Sequence, residues 1–316
     1  MATSRVPGTL PVVAQLGRHA SGRAWLARLP GLIEELRTAW GLRLGAPFHG
    51  GSCSWVAPAW RKAESDAEPL VLKVTWPHRE AAGEAEALRL WDGRGAVRIV
   101  AHDAERTALL LERCVPGTDL WAADGLSVRE RLARGAGVLA ELAAVPVPAG
   151  CGLEPVGTVT AEWADLLEER AARLLAPGAD AGVCALGARL LRELPGSAAR
   201  SVVVHGDANP GNFLAAGRRP WLAIDAKPMV GDPDYDPWPL VGQVGEPFTA
   251  PDPRAVLRDR FALVADLTGG DAARAAAWAA ARQAEGALWG AAHGEQPPVV
   301  AEELRRARVL ADVAGA

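Results

Sequence analysis

The stretch SVVVHGDANPGNFLAAGRRPWLAID, residues 201–225, decides the fold of this chain. It opens on three consecutive valines, whose β-branched side chains favour a buried strand. A polar loop follows, and the apolar pattern then resumes until Gly217 begins a turn into a further strand. The segment therefore predicts a buried hairpin that carries Asp207, Asn212 and Asp225 at its strand ends.

These side chains suggest a site for a metal-bound nucleotide. Mg²⁺ prefers a few carboxylate or amide oxygens together with phosphates and water. Asp207 and Asn212 are five residues apart, and Asp225 follows at the end of the next strand. A rigid hairpin would hold these oxygens at fixed positions, as a Mg-nucleotide requires.

The same residues carry a resemblance to a known family. The spacing of His205, Asp207 and Asn212, with Asp225 on the next hairpin strand, resembles the catalytic loop and metal-binding strand of the aminoglycoside phosphotransferase superfamily. The resemblance implies that Asp207 is the catalytic base and that Asn212 and Asp225 bind Mg²⁺. It also implies that ATP is the phosphoryl donor.

The continuation narrows the resemblance to one branch. Residues 221–240, WLAIDAKPMVGDPDYDPWPL, are similar to the streptomycin 6-phosphotransferases and hydroxyurea phosphotransferases. The chain departs from that branch at Ala226, where proline is common. It departs again at Ala208 and Asn209, where hydrophobic and histidine residues are common. The second departure lies beside the predicted base.

The rest of the chain has the order of elements that this resemblance requires. Residues 1–113 are predicted as an N-terminal lobe, with a helical extension over about 1–40 followed by five strands and one helix. Within this lobe a polar loop is predicted over 61–69, and the helix is predicted to run from Pro77 to about Trp91. Residues 114–120 are predicted as a hinge, and 121–316 as a helical C-terminal lobe with embedded hairpins. Its first predicted helix begins with a capping box between Ser127 and Glu130, and further helices are predicted at about 160–176, 180–194, 253–268, 271–291 and 299–313. The predicted fold class is therefore α+β, a two-lobed protein-kinase-like fold.

Lys73 lies inside the apolar run VLKV, where a cation is costly unless it is paired. One interpretation is an edge-strand lysine that faces solvent. The resemblance implies instead the lysine that contacts the nucleotide phosphates and pairs with a carboxylate of the next helix. Glu84 fits the family's position for that partner, and Glu86 is the alternative.

Further nucleotide contacts are predicted on both sides of Lys73. The turn Gly50-Gly51-Ser52 lies between two predicted strands, where backbone N–H groups can approach phosphates. A plain hairpin turn would look the same. The resemblance also implies that backbone groups from Glu112 to Cys114 bind adenine.

The remaining polar residues near the predicted site are assigned supporting roles. His205 is predicted to hold the catalytic loop rather than to take part in the reaction, and Asp232 to brace that loop. Asp234 and Asp236 are predicted either to cap the following helix or to face a cleft for a cationic substrate. Lys227 could contact a phosphate, but a solvent-exposed loop lysine is the favoured interpretation.

Composition excludes several other classes of protein. The chain has 316 residues and a formal net charge of −4, which disfavours nucleic acid as a partner. No apolar run suggests a membrane span, and the N-terminus has no convincing signal sequence. The four scattered cysteines favour a reduced cytoplasmic protein. Nothing points to an obligate protein partner.

The predicted function is an ATP- and Mg²⁺-dependent phosphotransferase that acts on a hydroxyl group of a small, antibiotic-like acceptor. The resemblance favours a streptomycin-type aminoglycoside first and hydroxyurea second. A metabolic sugar or amino alcohol is an alternative acceptor. A catalytically silent nucleotide-binding regulator is the alternative from another class, and the set of Lys73, Asp207, Asn212 and Asp225 argues against it. A metal-dependent hydrolase lacks further ligands at suitable spacing.

Overall fold

The computed structural model describes residues 6–62 and 68–316. The polar loop predicted over 61–69 therefore falls largely outside the described residues. Within the described ranges the helices α1–α10 are Pro11–Leu16, Ala20–Ala39, Glu84–Trp91, Val128–Ala143, Val156–Leu174, Ala181–Glu193, Pro237–Gln243, Pro253–Thr268, Ala272–Ala292 and Pro297–Ala314. The strands β1–β10 are Leu42–Leu44, Ser54–Arg61, Leu70–Thr75, Ile99–Asp103, Ala108–Glu112, Pro116–Asp119, Val202–Val204, Phe213–Ala216, Trp221–Ala223 and Met229–Gly231.

The first five strands form one antiparallel sheet in the order β1-β2-β3-β5-β4, which confirms the predicted five-stranded sheet. Side chains alternate between the two faces of a strand. Leu72 and Val74 of β3 accordingly pack in one core with Leu29 and Ile33 of α2. Lys73 points to the opposite face, where α3 lies, so the alternation of β3 decides which side of the sheet carries the cation.

The helix predicted from Pro77 to Trp91 begins later than expected. A short 3₁₀ turn spans Arg79–Ala81, and α3 starts at Glu84. Gly83 separates the two, and a Cβ at this position would come within 2.6 Å of Leu153. The second lobe therefore approaches the chain closely at Gly83, immediately before α3.

The segment predicted as a hinge contains a strand. Residues 116–119 form β6, which pairs with β8 in a three-stranded sheet whose order is β6-β8-β9. A strand edge exposes unpaired N–H and C=O groups unless another segment covers it. β6 provides that cover for β8, so the second half of the predicted hinge is attached to the helical lobe.

The C-terminal lobe is mainly helical, and its predicted helices are confirmed with small shifts of their ends. A capping box between Ser127 and Glu130 begins α4, as predicted. The predicted helices at 253–268 and 271–291 correspond to α8 and α9. Buried alanines on α9 allow α8 and α10 to pack closely against it; they are Ala275, Ala276, Ala279 and Ala280. None of the helices in the described ranges is both long enough and apolar enough to cross a membrane.

Candidate active site

The loop that follows β7 is held by one buried carboxylate. Asp236 accepts hydrogen bonds from the backbone N–H groups of His205 at 2.6 Å and Gly206 at 2.8 Å. Gly206 has a φ of +82°, and a Cβ there would lie 1.9 Å from the carbonyl oxygen of Lys227. Only glycine fits this position. The chain therefore reaches Asp207 along a tightly constrained path.

The ring of His205 is part of that constraint. Its Nε2 lies 2.9 Å from the carbonyl oxygen of Ile224, and its Nδ1 accepts a hydrogen bond from the Asp207 N–H at 3.3 Å. This pattern assigns the ring proton to Nε2, since Nδ1 acts as the acceptor. The ring also stacks on Trp91, with 6.4 Å between centroids. Both nitrogens are thus engaged in holding the loop.

Asp207 has donors on both carboxylate oxygens. Lys227 Nζ lies 2.7 Å from Oδ2, and Asn209 Nδ2 donates to Oδ1 at 3.0 Å. Burial raises the pKa of Asp207, but the charge and hydrogen bond of Lys227 outweigh it and the net pKa lies below the usual value. The side chain of Asp207 is 26% exposed. It is therefore an ionised carboxylate that an acceptor can reach.

Lys73 is the centre of a second, buried cluster. Its Nζ lies 2.7 and 2.6 Å from the two carboxylate oxygens of Glu84 and 2.5 Å from Oδ1 of Asp225. Burial alone would lower the pKa of Lys73, but the charges of Glu84 and Asp225 outweigh it and raise the pKa. Glu86 turns away, and its carboxylate accepts a hydrogen bond from the Gly152 N–H at 2.7 Å. The carboxylate that pairs with Lys73 is that of Glu84.

Asp225 and Asn212 carry the oxygen atoms that could hold a metal ion. Asp225 has a φ of +56°, a left-handed conformation that a non-glycine residue seldom adopts. The charge of Lys73 lowers the pKa of Asp225 to about 2, against the effect of burial. Asn212 donates through Nδ2 to the Asp207 carbonyl oxygen at 2.9 Å, which leaves its Oδ1 as the available atom. One ionised carboxylate and one carboxamide oxygen fit the ligand preference of Mg²⁺.

The glycine turn precedes β2, the strand that pairs with β3. Gly51 has a φ of +80°, and a Cβ at Gly50 would meet no other atom within 4 Å among the described residues. Ser52 Oγ lies 3.7 Å from Cys53 Sγ. Val56 of β2 is paired with Lys73. The turn is thus an exposed loop at the end of the hairpin that carries Lys73.

The two residues predicted to contact adenine differ in their surroundings. The Glu112 carboxylate pairs with Arg218 at 2.8 Å, and the Glu112 N–H donates to the Arg98 carbonyl oxygen. Cys114 is buried, and its N–H has no protein partner among the described residues. The backbone N–H of Cys114 is therefore available to a ligand, whereas that of Glu112 is already engaged.

Asp232 and Asp234 do not have the contacts predicted for them. Asp232 was predicted to brace the catalytic loop, but its carboxylate accepts from Arg274 and Trp278 of α9, each at 2.6 Å. Asp234 is buried and accepts from the Asp271 N–H at 3.2 Å. Burial raises the pKa of Asp234 to about 6. Both residues anchor α9, so the prediction that Asp234 faces the substrate is corrected.

The same correction applies to Asp236, which bonds the catalytic loop and is only 6% exposed. It has the bracing contacts that were expected of Asp232. Three aspartates at alternate positions look equivalent in the sequence, and the 3₁₀ turn Pro233–Tyr235 decides which of them points to the loop. An aspartate that faces two backbone N–H groups can accept from both, which is how Asp236 fixes the turn at Gly206.

Two side chains that contact Asp207 were missed. Lys227 was predicted to be exposed to solvent, but it pairs with Asp207. Asn209 was noted only as a departure from the family pattern, and it donates to the same carboxylate. The scarcity of lysine was the available signal for the first. The chain has only three lysines among 34 basic residues, at 62, 73 and 227, and two of them lie in this site.

A cavity of about 200 Å³ opens beside this pair. Gly206 and Lys227 are among its lining residues, together with Glu80, Glu86 and Trp163. Its lining also includes Arg79, which pairs with Glu154 and Glu162. The cavity therefore joins the catalytic loop to a region that combines carboxylates with an aromatic surface.

Comparison with known proteins gives the family of the chain. Residues 45–294 match the family model described as aminoglycoside/hydroxyurea antibiotic resistance kinase. The chain is 37% identical over 286 residues to a streptomycin 6-kinase of Streptomyces glaucescens, an alignment that covers 88% of this chain and 89% of that protein. It is 35% identical over 306 residues to a hydroxyurea phosphotransferase of Kitasatospora aureofaciens, with 93% and 82% covered.

Solved structures support the fold independently. A choline/ethanolamine kinase family protein from Mesorhizobium loti superposes with a TM-score of 0.60 at 16% identity and covers 89% of this chain and 95% of its own. At this identity the likeness concerns the fold alone. It confirms the protein-kinase-like architecture predicted from residues 201–225.

Proposed function

The chain belongs to the aminoglycoside/hydroxyurea antibiotic resistance kinase family, and on that premise we propose that it transfers the γ-phosphoryl group of ATP to a hydroxyl group of a streptomycin-type aminoglycoside. The observation that carries the proposal is the convergence of two ion-paired clusters. The first cluster consists of Lys73, Glu84 and Asp225 at the end of the sheet. The second consists of Asp207 and Lys227 on the adjoining hairpin. One cluster suits the nucleotide and the other suits the acceptor.

Each side chain has a role that follows from its contacts. Lys73, held by Glu84, binds the α- and β-phosphates. Asp207 orients the acceptor hydroxyl group and takes its proton during transfer, because it is ionised and accessible. His205 and Asp236 keep Asp207 in place through the backbone of the loop. Such fixed geometry is most of what the protein contributes to phosphoryl transfer.

Asp225 and Asn212 would hold Mg²⁺, which would neutralise charge on the phosphate oxygens. The Lys73–Asp225 contact supports this role because it fixes the carboxylate at the place where the phosphates must lie. The hydrogen bond from Asn212 Nδ2 to the Asp207 carbonyl oxygen supports it as well, since it orients the amide oxygen away from the loop.

The adenine end of the nucleotide would lie at the connection between the lobes, where the free N–H of Cys114 supports a backbone contact. The Glu112 N–H is already donated to Arg98, so its contribution would be limited to its carbonyl oxygen. The exposed turn Gly50-Gly51-Ser52 would cover the phosphates. We place the lobe boundary within residues 114–120, and the pairing of β6 with β8 supports a pivot in the first half of that segment.

The cavity beside Lys227 would receive the acceptor. Glu80 and Glu86 in its lining suit the guanidinium groups of a streptomycin-type molecule, and Trp163 offers a face on which a cation can stack. Asp234 and Asp236 do not line this cavity, because both carboxylates are buried against backbone N–H groups elsewhere. The acidic residues that we assign to this cavity therefore come from the 3₁₀ turn Arg79–Ala81 and from α3.

A direct assay tests the proposal. Purified protein with Mg-ATP is incubated with streptomycin, with hydroxyurea, or with a panel of sugars and amino alcohols, and ADP production is measured. We expect streptomycin to stimulate ADP release and the product to gain one phosphate by mass. Stimulation by hydroxyurea or by a metabolic alcohol alone would move the function to that acceptor. If no acceptor stimulates ADP release while nucleotide still binds, a silent nucleotide-binding protein would be the better interpretation.

A further inference from the structure

Lys227 is an unusual residue for its surroundings. The chain uses arginine for 31 of its 34 basic residues, yet it has lysine two positions after Asp225. The ammonium group lies 2.7 Å from Oδ2 of Asp207 and 3.9 Å from Glu80. A lysine ammonium is a compact point charge with three donors, whereas a guanidinium is a planar fork. The site therefore places a compact cation directly on its proposed base.

The backbone of Lys227 is fixed, although its side chain is not buried. Its N–H donates to the His205 carbonyl oxygen at 2.8 Å, and its own carbonyl oxygen lies against Gly206. The side chain remains 39% exposed and lines the cavity. The side chain of Lys227 therefore extends from a fixed backbone position, and its ammonium group lies beside Asp207 at the cavity.

The two lysines of the site differ in how many donors they have left. Lys73 uses its donors on both oxygens of Glu84 and on Asp225. Lys227 uses one donor on Asp207. The carboxylate of Glu80, 3.9 Å away, lies beyond hydrogen-bond distance. Lys227 is therefore the cation of the site that can accept a further anionic partner without losing the present one.

The available space decides which anion that is. An acceptor oxygen that donates to Asp207 lies about 3 Å from the carboxylate, and the phosphorus under attack lies about 3 Å beyond it. The ammonium is already at 2.7 Å from the same carboxylate. A γ-phosphoryl oxygen of a nucleotide held by Lys73 and Asp225 would therefore come within reach of Lys227.

We propose that Lys227 is a catalytic residue whose ammonium group binds the γ-phosphoryl group during transfer. The inference rests on the proposed function. In the step, the acceptor oxygen forms a bond to phosphorus, and the bond from phosphorus to the β–γ bridging oxygen breaks. ADP leaves with that electron pair, and the acceptor proton passes to Asp207. Lys227 keeps its protons and neutralises charge on the equatorial oxygens.

The experiment compares ADP with the imido analogue of ATP, whose β–γ bridge is not cleaved. Affinities for both, with Mg²⁺, are measured by calorimetry for the wild type, Lys227→Met, Lys227→Arg and Lys62→Met. The exposed Lys62 is the matched control. For Lys227→Met we expect the preference for the analogue over ADP to fall about 10-fold or more, with ADP affinity nearly unchanged. Turnover should fall about 100-fold.

Lys227→Arg should keep most of the preference for the analogue, and Lys62→Met should behave as the wild type. The inference is overturned if Lys227→Met keeps the wild-type ratio of affinities, whatever its turnover, because a residue that only supports Asp207 would not distinguish the two nucleotides. If Lys227→Met melts well below the wild type, Lys227→Gln provides the same ratio. Failure of the proposed function itself would differ, since the wild type would then phosphorylate none of the acceptors.

Discussion

The two lysines of the site lie in contrasting environments. Lys73 is 7% exposed and bonds three carboxylate oxygens, whereas Lys227 is 39% exposed and bonds one. We call the first cluster closed because the ammonium group of Lys73 already donates to three carboxylate oxygens. The second is open and incomplete. In the proposed function, Lys73 and Glu84 would fix the position of the nucleotide, while bonds would be made and broken beside Asp207.

The sharpest test of this contrast is at Asp207. Asp207→Asn removes the ionised base but retains the shape of the side chain and most hydrogen bonds of the loop. We expect turnover to fall roughly 10²- to 10⁴-fold, the usual contribution of a positioned general base. Nucleotide affinity, measured by calorimetry, should change less than about 2-fold because Asp207 makes no predicted contact with ADP. An equal loss of affinity and turnover would contradict a role confined to the open cluster.

A substitution in the closed cluster should change the stability of the folded protein. Glu84→Gln leaves Lys73 buried with only one charged partner, and breaking a buried pair costs about 3 kcal/mol. We expect the free energy of unfolding, measured with urea, to fall by about that amount. Glu86→Gln is the matched control, because Glu86 lies on the same helix and bonds one backbone N–H. If both variants lose the same stability, the distinction between the two glutamates is wrong.

A third substitution tests Asp236, whose carboxylate holds the loop that carries Asp207. Asp236→Asn replaces one of two acceptor oxygens by an NH₂ group that faces a backbone N–H of the loop. A buried donor left without an acceptor costs about 1–3 kcal/mol. We expect the unfolding free energy to fall by about that much and turnover to fall with it, since the loop carries Asp207. Loss of stability with full turnover would mean that the loop keeps its shape without this carboxylate.

The smallest expected effect concerns Asp234 and pH. Burial raises its pKa to about 6 from 3.8, so the folded protein holds a proton that the unfolded chain releases between these values. Stability should therefore fall as pH rises from about 4 to about 6 and level off above. Asp234→Asn, which cannot titrate, should remove much of this decline, which we expect to be on the order of 1 kcal/mol or more. Urea unfolding at pH 4 and pH 7 measures it. An unchanged decline would show that Asp234 is ionised throughout.

Much of the fold followed from local patterns. The alternation of β3 determines which face carries Lys73, and an eleven-residue spacing brings Glu84 to it. Both features depend on neighbours in the same strand or helix. The hairpin with Asp207, Asn212 and Asp225 was predictable for the same reason, since its apolar runs and turn are contiguous.

Other contacts could not be predicted because they depend on packing between distant elements. Asp232 and Asp236 differ in their partners only because α9 docks on one side of the 3₁₀ turn and the catalytic loop on the other. The contact between Lys227 and Asp207 depends on the side-chain torsions of two residues that lie 20 positions apart in the chain. The strand β6 forms because β8 offers an edge, which the hinge sequence does not reveal.

The contact between Gly206 and the Lys227 carbonyl oxygen has a mechanical consequence. With no room for even one methyl group between the two segments, the catalytic loop and the Asp225–Lys227 segment cannot slide past each other. They behave as one solid part. A movement of one lobe relative to the other would therefore have to take place elsewhere, at the connection near Cys114 and at the Arg79 ion pairs. Such a movement would leave the distance between Asp207 and Asp225 unchanged.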